Sequence, residues 1–152
     1  MQYDLIIGID PVGIGNNGIV IYSHETNNIV FNETFNTLTV LWTKNMYKEK
    51  FQLIKEKFID KKILVIVENF FLSSKQLLTN PLATPKIIGA LMVLVQDVFN
   101  WDYFASYPKN KIINYKGNIK LTKHEQDAYK HIQYYLKNHK KILIFDNYLR
   151  KL

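Results

Sequence analysis

A few side chains far apart in the chain have the types and spacing that phosphate chemistry needs. Leu5-Ile6-Ile7-Gly8-Ile9-Asp10-Pro11 is an apolar run that ends in a carboxylate and leads into a glycine-rich turn. Ile63-Leu64-Val65-Ile66-Val67-Glu68 repeats the pattern. Such runs read as strands buried on both faces. An acid at the end of one is held by rigid backbone at the rim of a core. Asp10 therefore reads as the first metal ligand of a nuclease. If the two strands are parallel neighbours, about 4.8 Å apart, the acids meet at one rim. Two charges about 4 Å apart repel by roughly 4 kcal/mol at an effective dielectric of about 20. The pair is tolerated if a divalent cation sits between the acids, or if one stays protonated.

A third element adds to them. Thr122 with Glu125 three positions later forms a capping box, so a helix begins there. His124 and Asp127 then share one helix face, Glu125 and Gln126 point elsewhere, and His131 extends that face by a turn. The ordinary alternatives remain open at this stage. A strand-end Asp also caps its own turn, and acids in a first helical turn are favoured by the helix dipole.

The elements that must position these groups follow from periodicity. Residues 3–10 form a first strand. Gly13-Ile14-Gly15-Asn16-Asn17-Gly18 matches G-x-G-x-x-G, but a dinucleotide site needs a helix there. Ile19-Val20-Ile21-Tyr22 is strand chemistry instead. Asn16-Asn17-Gly18 reads as the turn that returns the chain antiparallel. A third strand over 28–35 completes an antiparallel meander. Trp42, Met46, Phe51, Ile54 and Phe58 place a helix over 44–59. After Glu68, Phe70 and Phe71 open a polar loop and read either as core or as stacking platforms for bases. Residues 86–99 form the most apolar helix, with Gly89 and Ala90 allowing a close neighbour, so a homodimer built on it is expected. A strand over 103–107 and a short strand over 141–145 complete the pattern.

Bulk properties bound the function. The 152 residues suit one domain, taken as 1–152, with a real core. There is no cysteine, which removes disulfides, thiolate zinc sites and a cysteine nucleophile. No apolar run approaches the length of a membrane span, so a soluble, cytoplasmic protein without membrane contact is expected, in the host cytoplasm if it is phage-encoded. Lysine and arginine outnumber acids 20 to 13. Lys109, Lys111, Lys116, Lys120 and Lys123 fall in one acid-free segment, which reads as a phosphate-contacting loop or as a solvated lysine-rich surface.

The order of these features resembles the RNase H-like superfamily, and within it the RuvC-type Holliday junction resolvases. The residues that carry the resemblance are Gly8-Ile9-Asp10-Pro11 with Asn17-Gly18, Val67-Glu68-Asn69-Phe70-Phe71, Lys86 with Ile88-Gly89, Tyr107-Pro108, and His124-x-x-Asp127-Ala128. It implies an α/β fold with a five-stranded mixed sheet, the first three strands a meander, flanked by helices. It implies that Asp10, Glu68, His124 and Asp127 form the catalytic and metal-binding site, holding two Mg²⁺ ions that Mn²⁺ can replace. It implies that Phe71, beside Phe70, stacks on junction bases, and that Lys86 and the loop lysines contact DNA. The activity implied is Mg²⁺-dependent cutting of four-way junctions and related branched DNA during recombination and repair. One ion would activate the attacking water and the other would stabilise the leaving oxygen. Two features depart from the family pattern. Lys120 is almost adjacent to His124, where relatives carry a helix between basic loop and acids, and the tail beyond Lys137 has no counterpart. In compactness and lysine content the chain is similar to the phage and viral branch. The competing readings are a branched-DNA-binding protein that does not cut, and a nuclease for RNA–DNA hybrids.

Overall fold

β1 (Leu5–Asp10) is buried from Leu5 to Ile9, and its apolar side chains alternate between two cores rather than between core and water. Leu5, Ile7 and Ile9 enter one core and Ile6 enters the other. β4 (Ile63–Glu68) behaves in the same way and lies parallel to β1, with Leu5 opposite Ile63 and Ile9 opposite Val67. A strand buried on both faces needs layers above and below, and the helices supply them. This computed structural model describes residues 3–69, 82–106 and 117–150, with side chains as far as Asn138.

β2 (Gly15–Ser23) and β3 (Asn28–Thr37) complete the meander beside β1, and β5 (Asp102–Ser106) lies parallel to β4. The five-stranded mixed sheet has the order β3-β2-β1-β4-β5. α1 (Val40–Lys57) is the crossover between β3 and β4, and Tyr47, Phe51 and Ile54 pack it against Ile7, Ile9 and Val65. α2 (Ala83–Val93) joins that layer through Ile87 and Leu91. α3 (Lys123–Arg150) covers the opposite face through Ala128, Ile132 and Tyr135. Among the described residues no helix is long and apolar enough to cross a membrane.

The structure corrects several sequence-based expectations. β2 already begins at Gly15, so Asn16-Asn17-Gly18 is strand, and residues 11–14 make the reversal. Asn17 is fully buried, and its Oδ1 accepts hydrogen bonds from Val12 N and the Tyr47 hydroxyl, both at 2.8 Å. Its polar side chain thus ties the reversal down from inside the sheet. α1 starts before residue 44, capped by Thr39, whose side chain accepts from Trp42 N. Leu41 and Trp42 are largely exposed there, so the apolar pattern that marks a core face is missing from the first turn.

The helix expected over 86–99 begins at Ala83, with Pro85 in its first turn, where proline is tolerated. From Leu94–Val98 it widens into a π-turn closed by Phe99 N on Leu94 O. Residues 141–145 lie in α3 and not in a strand. No glycine or proline interrupts the chain from Lys123 to Arg150. Extending a formed helix adds one hydrogen bond per residue fixed, so β-branched residues are carried along.

Candidate active site

One line of register crosses the sheet and collects the polar groups. Thr34 lies opposite Gly18, Gly18 opposite Asp10, and Glu68 opposite Ser106. Asp10 and Glu68 each stand one step beyond the Ile9–Val67 pair on adjacent parallel strands. Asp10 and Glu68 share the strand parity of Ile6, Leu64 and Ile66, which pack under α3.

α3 can lie so low because two strand positions lack a side chain. A Cβ on Gly8 would stand 2.5 Å from Ala128 O, and one on Gly18 would stand 2.5 Å from His124 C and O. The helix N-terminus therefore rests directly on β1 and β2. His124 Nδ1 comes within 3.1 Å of Asp10 Oδ2. Asp127, one turn on, pairs with Lys130 at 3.1 Å and is close enough to raise the proton affinity of Asp10.

The Asp10 carboxyl is pushed up to about 8, first by burial, then by its hydrogen bond with Glu68 and by the charges of Glu68 and Asp127, against a downward pull from Lys123. For Glu68 burial also pushes up. The approach of His131 Nε2, the hydrogen bond with Asp10 and the charge of Lys130 outweigh it and leave the group below its ordinary value. Near neutral pH the two acids thus share one proton, with Asp10 as the donor. Beneath them burial, and then the Asp10 charge, drives the Tyr47 hydroxyl well above its usual range.

Glu125 does not point idly elsewhere, as its helical phase implies. It is buried, and its carboxylate accepts from Asn32 Nδ2 at 2.6 Å, from Thr122 Oγ1 at 2.8 Å and from the Thr34 hydroxyl. Burial pushes its carboxyl up, but the bonds from Thr34, Asn32 and Thr122 hold it below the ordinary value. The capping box is real and is also a clamp onto β3. Glu125→Ala should strip three donors of their acceptor and cost about 2–3 kcal/mol in urea unfolding. Because the folded-state value is lowered, that contribution is present above the unfolded value of about 4.3 and is lost as pH falls through the folded one. The difference between parent and variant should therefore shrink in acid.

The structure thus brings Glu68 and His124 to Asp10, with Asp127 near enough to act on Asp10 through its charge. Lys123 is exposed beside it and acts electrostatically on Asp10, and Lys120 is exposed just before α3. Lys86 is exposed on α2, across the sheet, one turn from Ala83, which abuts Gly13 of the reversal after Asp10. Phe70, Phe71, Lys109, Lys111 and Lys116 lie outside the described residues. The sequence reading missed Lys130, the Glu125 clamp and Ser106. A capping box announces Glu125 but not its partners on β3, and nothing in the local sequence marks Ser106.

The cluster can be tested against a metal on its chemistry. Carboxylate oxygens suit a hard divalent cation. The proton affinity of Asp10 is raised first by burial and then by the neighbouring acids Glu68 and Asp127, whose charge such a cation would neutralise. Among the described residues no three His, Asp or Glu side chains are grouped so as to enclose an ion. The donor set fits a divalent ion.

No protein-family model matches the sequence, and no curated protein matches it. Solved structures do. Thermus thermophilus RuvC in complex with a Holliday junction substrate superposes with a TM-score of 0.67 at 15% identity, covering 90% of this chain and 95% of that one. The Thermus thermophilus RuvC structure gives 0.66 at 14% identity, covering 90% and 96%. The chain has a RuvC-like fold. That is an RNase H-like α/β arrangement, matched over nearly the whole of both chains. Neither neighbour belongs to the phage or viral branch, so the resemblance rests on the RuvC-like fold alone.

Proposed function

We propose that the chain, as a single nuclease domain over 1–152, is a structure-selective endonuclease that resolves Holliday junctions and related branched DNA. The observation that carries the reading is the placing of Asp10 and Glu68 at the ends of adjacent parallel strands, with His124 set against Asp10 by α3 and Asp127 acting on Asp10 through its charge. Burial and crowded charge of this kind gather at functional sites. The RuvC-like fold supports the nuclease class, and the junction-bound RuvC supports branched DNA as the substrate.

Asp10, Glu68 and Asp127 would hold Mg²⁺, in two sites and replaceable by Mn²⁺, with His124 as a further ligand or as the group that orients water. Bound there, the ions supply charge neutralisation and Lewis-acid activation of the phosphodiester. His124 faces Asp10 through Nδ1, leaving Nε2 to take a proton from the attacking water. Asp10, once deprotonated, holds the imidazole in register. Lys120 and Lys123 engage the DNA backbone beside the acids, and Lys86 does so from the other face. Lys109, Lys111 and Lys116 extend that contact, and Phe70 and Phe71 stack on unpaired bases at the crossover.

A homodimer through the helix at 86–99 gives two sites for paired nicks. In its support, Met92, Val93 and Val98 are about half exposed, and a Cβ on Gly89 would meet nothing within 4 Å.

The test is a synthetic four-way junction beside fork, duplex and RNA–DNA hybrid substrates. Symmetric paired nicks in the junction with Mg²⁺, abolished by chelator, are expected. Glu68→Gln should lower single-turnover cutting by at least about 10²–10³-fold, as is usual when electrostatic stabilisation of a transition state is removed. Tight junction binding without cutting in Mg²⁺ or Mn²⁺ would make the protein a non-cleaving binder, and preference for the hybrid would make it a hybrid nuclease. Sedimentation under cutting conditions reads the dimer, and a monomer that still nicks in pairs removes that part.

A further inference from the structure

The Glu68 end of the cluster contains two polar side chains to which the proposed reaction gives no task. Ser106 and His131 are 2% and 8% exposed. Burying a hydroxyl and an imidazole costs free energy unless their hydrogen-bonding groups find partners. Here Ser106 Oγ lies 2.6 Å from His131 Nδ1. The other ring nitrogen, Nε2, lies 3.6 Å from Glu68 Oε2. Glu68 and Ser106 are register partners on β4 and β5, and His131 on α3 meets both. The same helix carries His124, seven residues or about two turns earlier. One rigid element thus touches Asp10 with one imidazole and Glu68 with another.

The positions of the hydrogens follow from donor and acceptor chemistry. A carboxylate only accepts, so a favourable approach to Glu68 requires the proton on Nε2. A neutral ring then has its lone pair on Nδ1, and the Ser106 hydroxyl is the donor that meets it. The carboxylate thereby selects the tautomer, and Ser106 supplies the donor that completes it at Nδ1. A Ser–His–acid series resembles a nucleophile's, but Ser106 is sealed in the core and reaches no substrate. At 3.6 Å the approach to Glu68 is longer than a hydrogen bond, and a carboxylate movement of roughly 0.5 Å would close it.

We propose that Ser106 and His131 act as a positioning pair for Glu68, fixing the imidazole tautomer so that Nε2–H faces the carboxylate and sets its orientation toward Asp10. The proposal rests on the reading of Glu68 as a cation-holding acid. It gives the buried pair a role in ion affinity rather than in bond breaking.

The test is calorimetric titration of Mn²⁺ into the full chain. Loss of an outer partner of a ligand typically weakens a metal site by about 10–100-fold. His131→Ala should fall in that range and Ser106→Ala near its lower end. The double variant should be no worse than His131→Ala, because the hydroxyl acts only through the ring. His131→Gln, whose amide still donates toward Glu68, should recover part of the affinity. ¹⁵N spectra of the imidazole should show the Nε2–H tautomer in the parent and a mixture in Ser106→Ala. Parent-like Mn²⁺ affinity with an unchanged tautomer in Ser106→Ala overturns the proposal, even if His131→Ala does not fold. Glu68→Gln separates the two levels. If it binds Mn²⁺ like the parent, the reading of Glu68 fails and the proposal falls with it. If it loses binding while Ser106→Ala keeps it, the positioning pair alone fails.

Discussion

Asp10→Asn is expected to make the metal-free protein more stable while ending its cleavage. The carboxyl stands at about 8 in the folded chain against 3.8 for the free side chain, first because it is buried and then because Glu68 and Asp127 crowd it. A value raised on folding means that the folded state binds the proton more tightly. Its contribution to stability is complete below pH about 4 and is lost as pH rises through about 8. Every tenfold gain in proton affinity is worth about 1.4 kcal/mol, but the opposite change at Glu68 returns part of it, because one proton serves both groups. A net gain of about 1–3 kcal/mol at pH 8 is the reasonable scale. Asparagine carries no charge, and its amide can still donate to Glu68. Urea unfolding in chelator from pH 5 to 9 should show the two proteins diverging as pH rises, with the variant ahead. Mn²⁺ should stabilise the parent and leave the variant almost unmoved. Parallel pH profiles, or a variant weaker than the parent at pH 8, would show that Asp10 is not strained by its surroundings.

What the sequence disclosed, and what it withheld, follows from the range of the forces involved. Strands β1 and β4 are legible because both faces are buried, so their residues form unbroken apolar runs. Asp10 and Glu68 stand out as the first polar residues after them. The pairing of His124 with Asp127 is legible because helical phase is local. The meander and the parallel pairing of β1 with β4 across a helical crossover follow from the sequence, and both agree with the structure. The Glu125 clamp escapes because its partners, Asn32 and Thr34, are about 90 residues away in sequence. Ser106 escapes because its role depends on the register of β5 against β4 and on the height of α3. Asn17 misleads because Asn-Gly is a strong turn signal, whereas here the buried amide accepts from Val12 and Tyr47. Residues 141–145 mislead because β-branched composition is a weaker influence than continuation of a helix already under way.

Gly18→Ala should do more damage to catalysis than its effect on stability accounts for. The added methyl carbon would sit 2.5 Å from the carbonyl carbon and oxygen of His124 and 2.9 Å from Glu125 N. All three are backbone atoms, so no side-chain rotation relieves the clash, and the first turn of α3 must rise. Overpacking of this kind typically costs about 1–3 kcal/mol. The rise also carries His124 and Asp127 away from Asp10, and a misplacement of about 1 Å can cost on the order of 10²-fold in rate. Gly8→Ala, which meets Ala128 O at 2.5 Å and the flexible Ile132 side chain at 2.9 Å, should lift the helix one turn further along. The Glu125 clamp resists the lift at the N-terminus, so part of the strain in Gly18→Ala should be stored against Asn32 and Thr34. Removing the clamp in that background should therefore cost less than the roughly 2–3 kcal/mol expected in the parent, a coupling that a double-mutant cycle reads directly. Junction affinity, which also draws on Lys86 across the sheet from the clash, should change less than single-turnover cutting. If instead Gly18→Ala and Glu125→Ala add without coupling, and cutting falls only as far as the folded fraction falls, then the height of α3 over the sheet does not set the geometry of the acids.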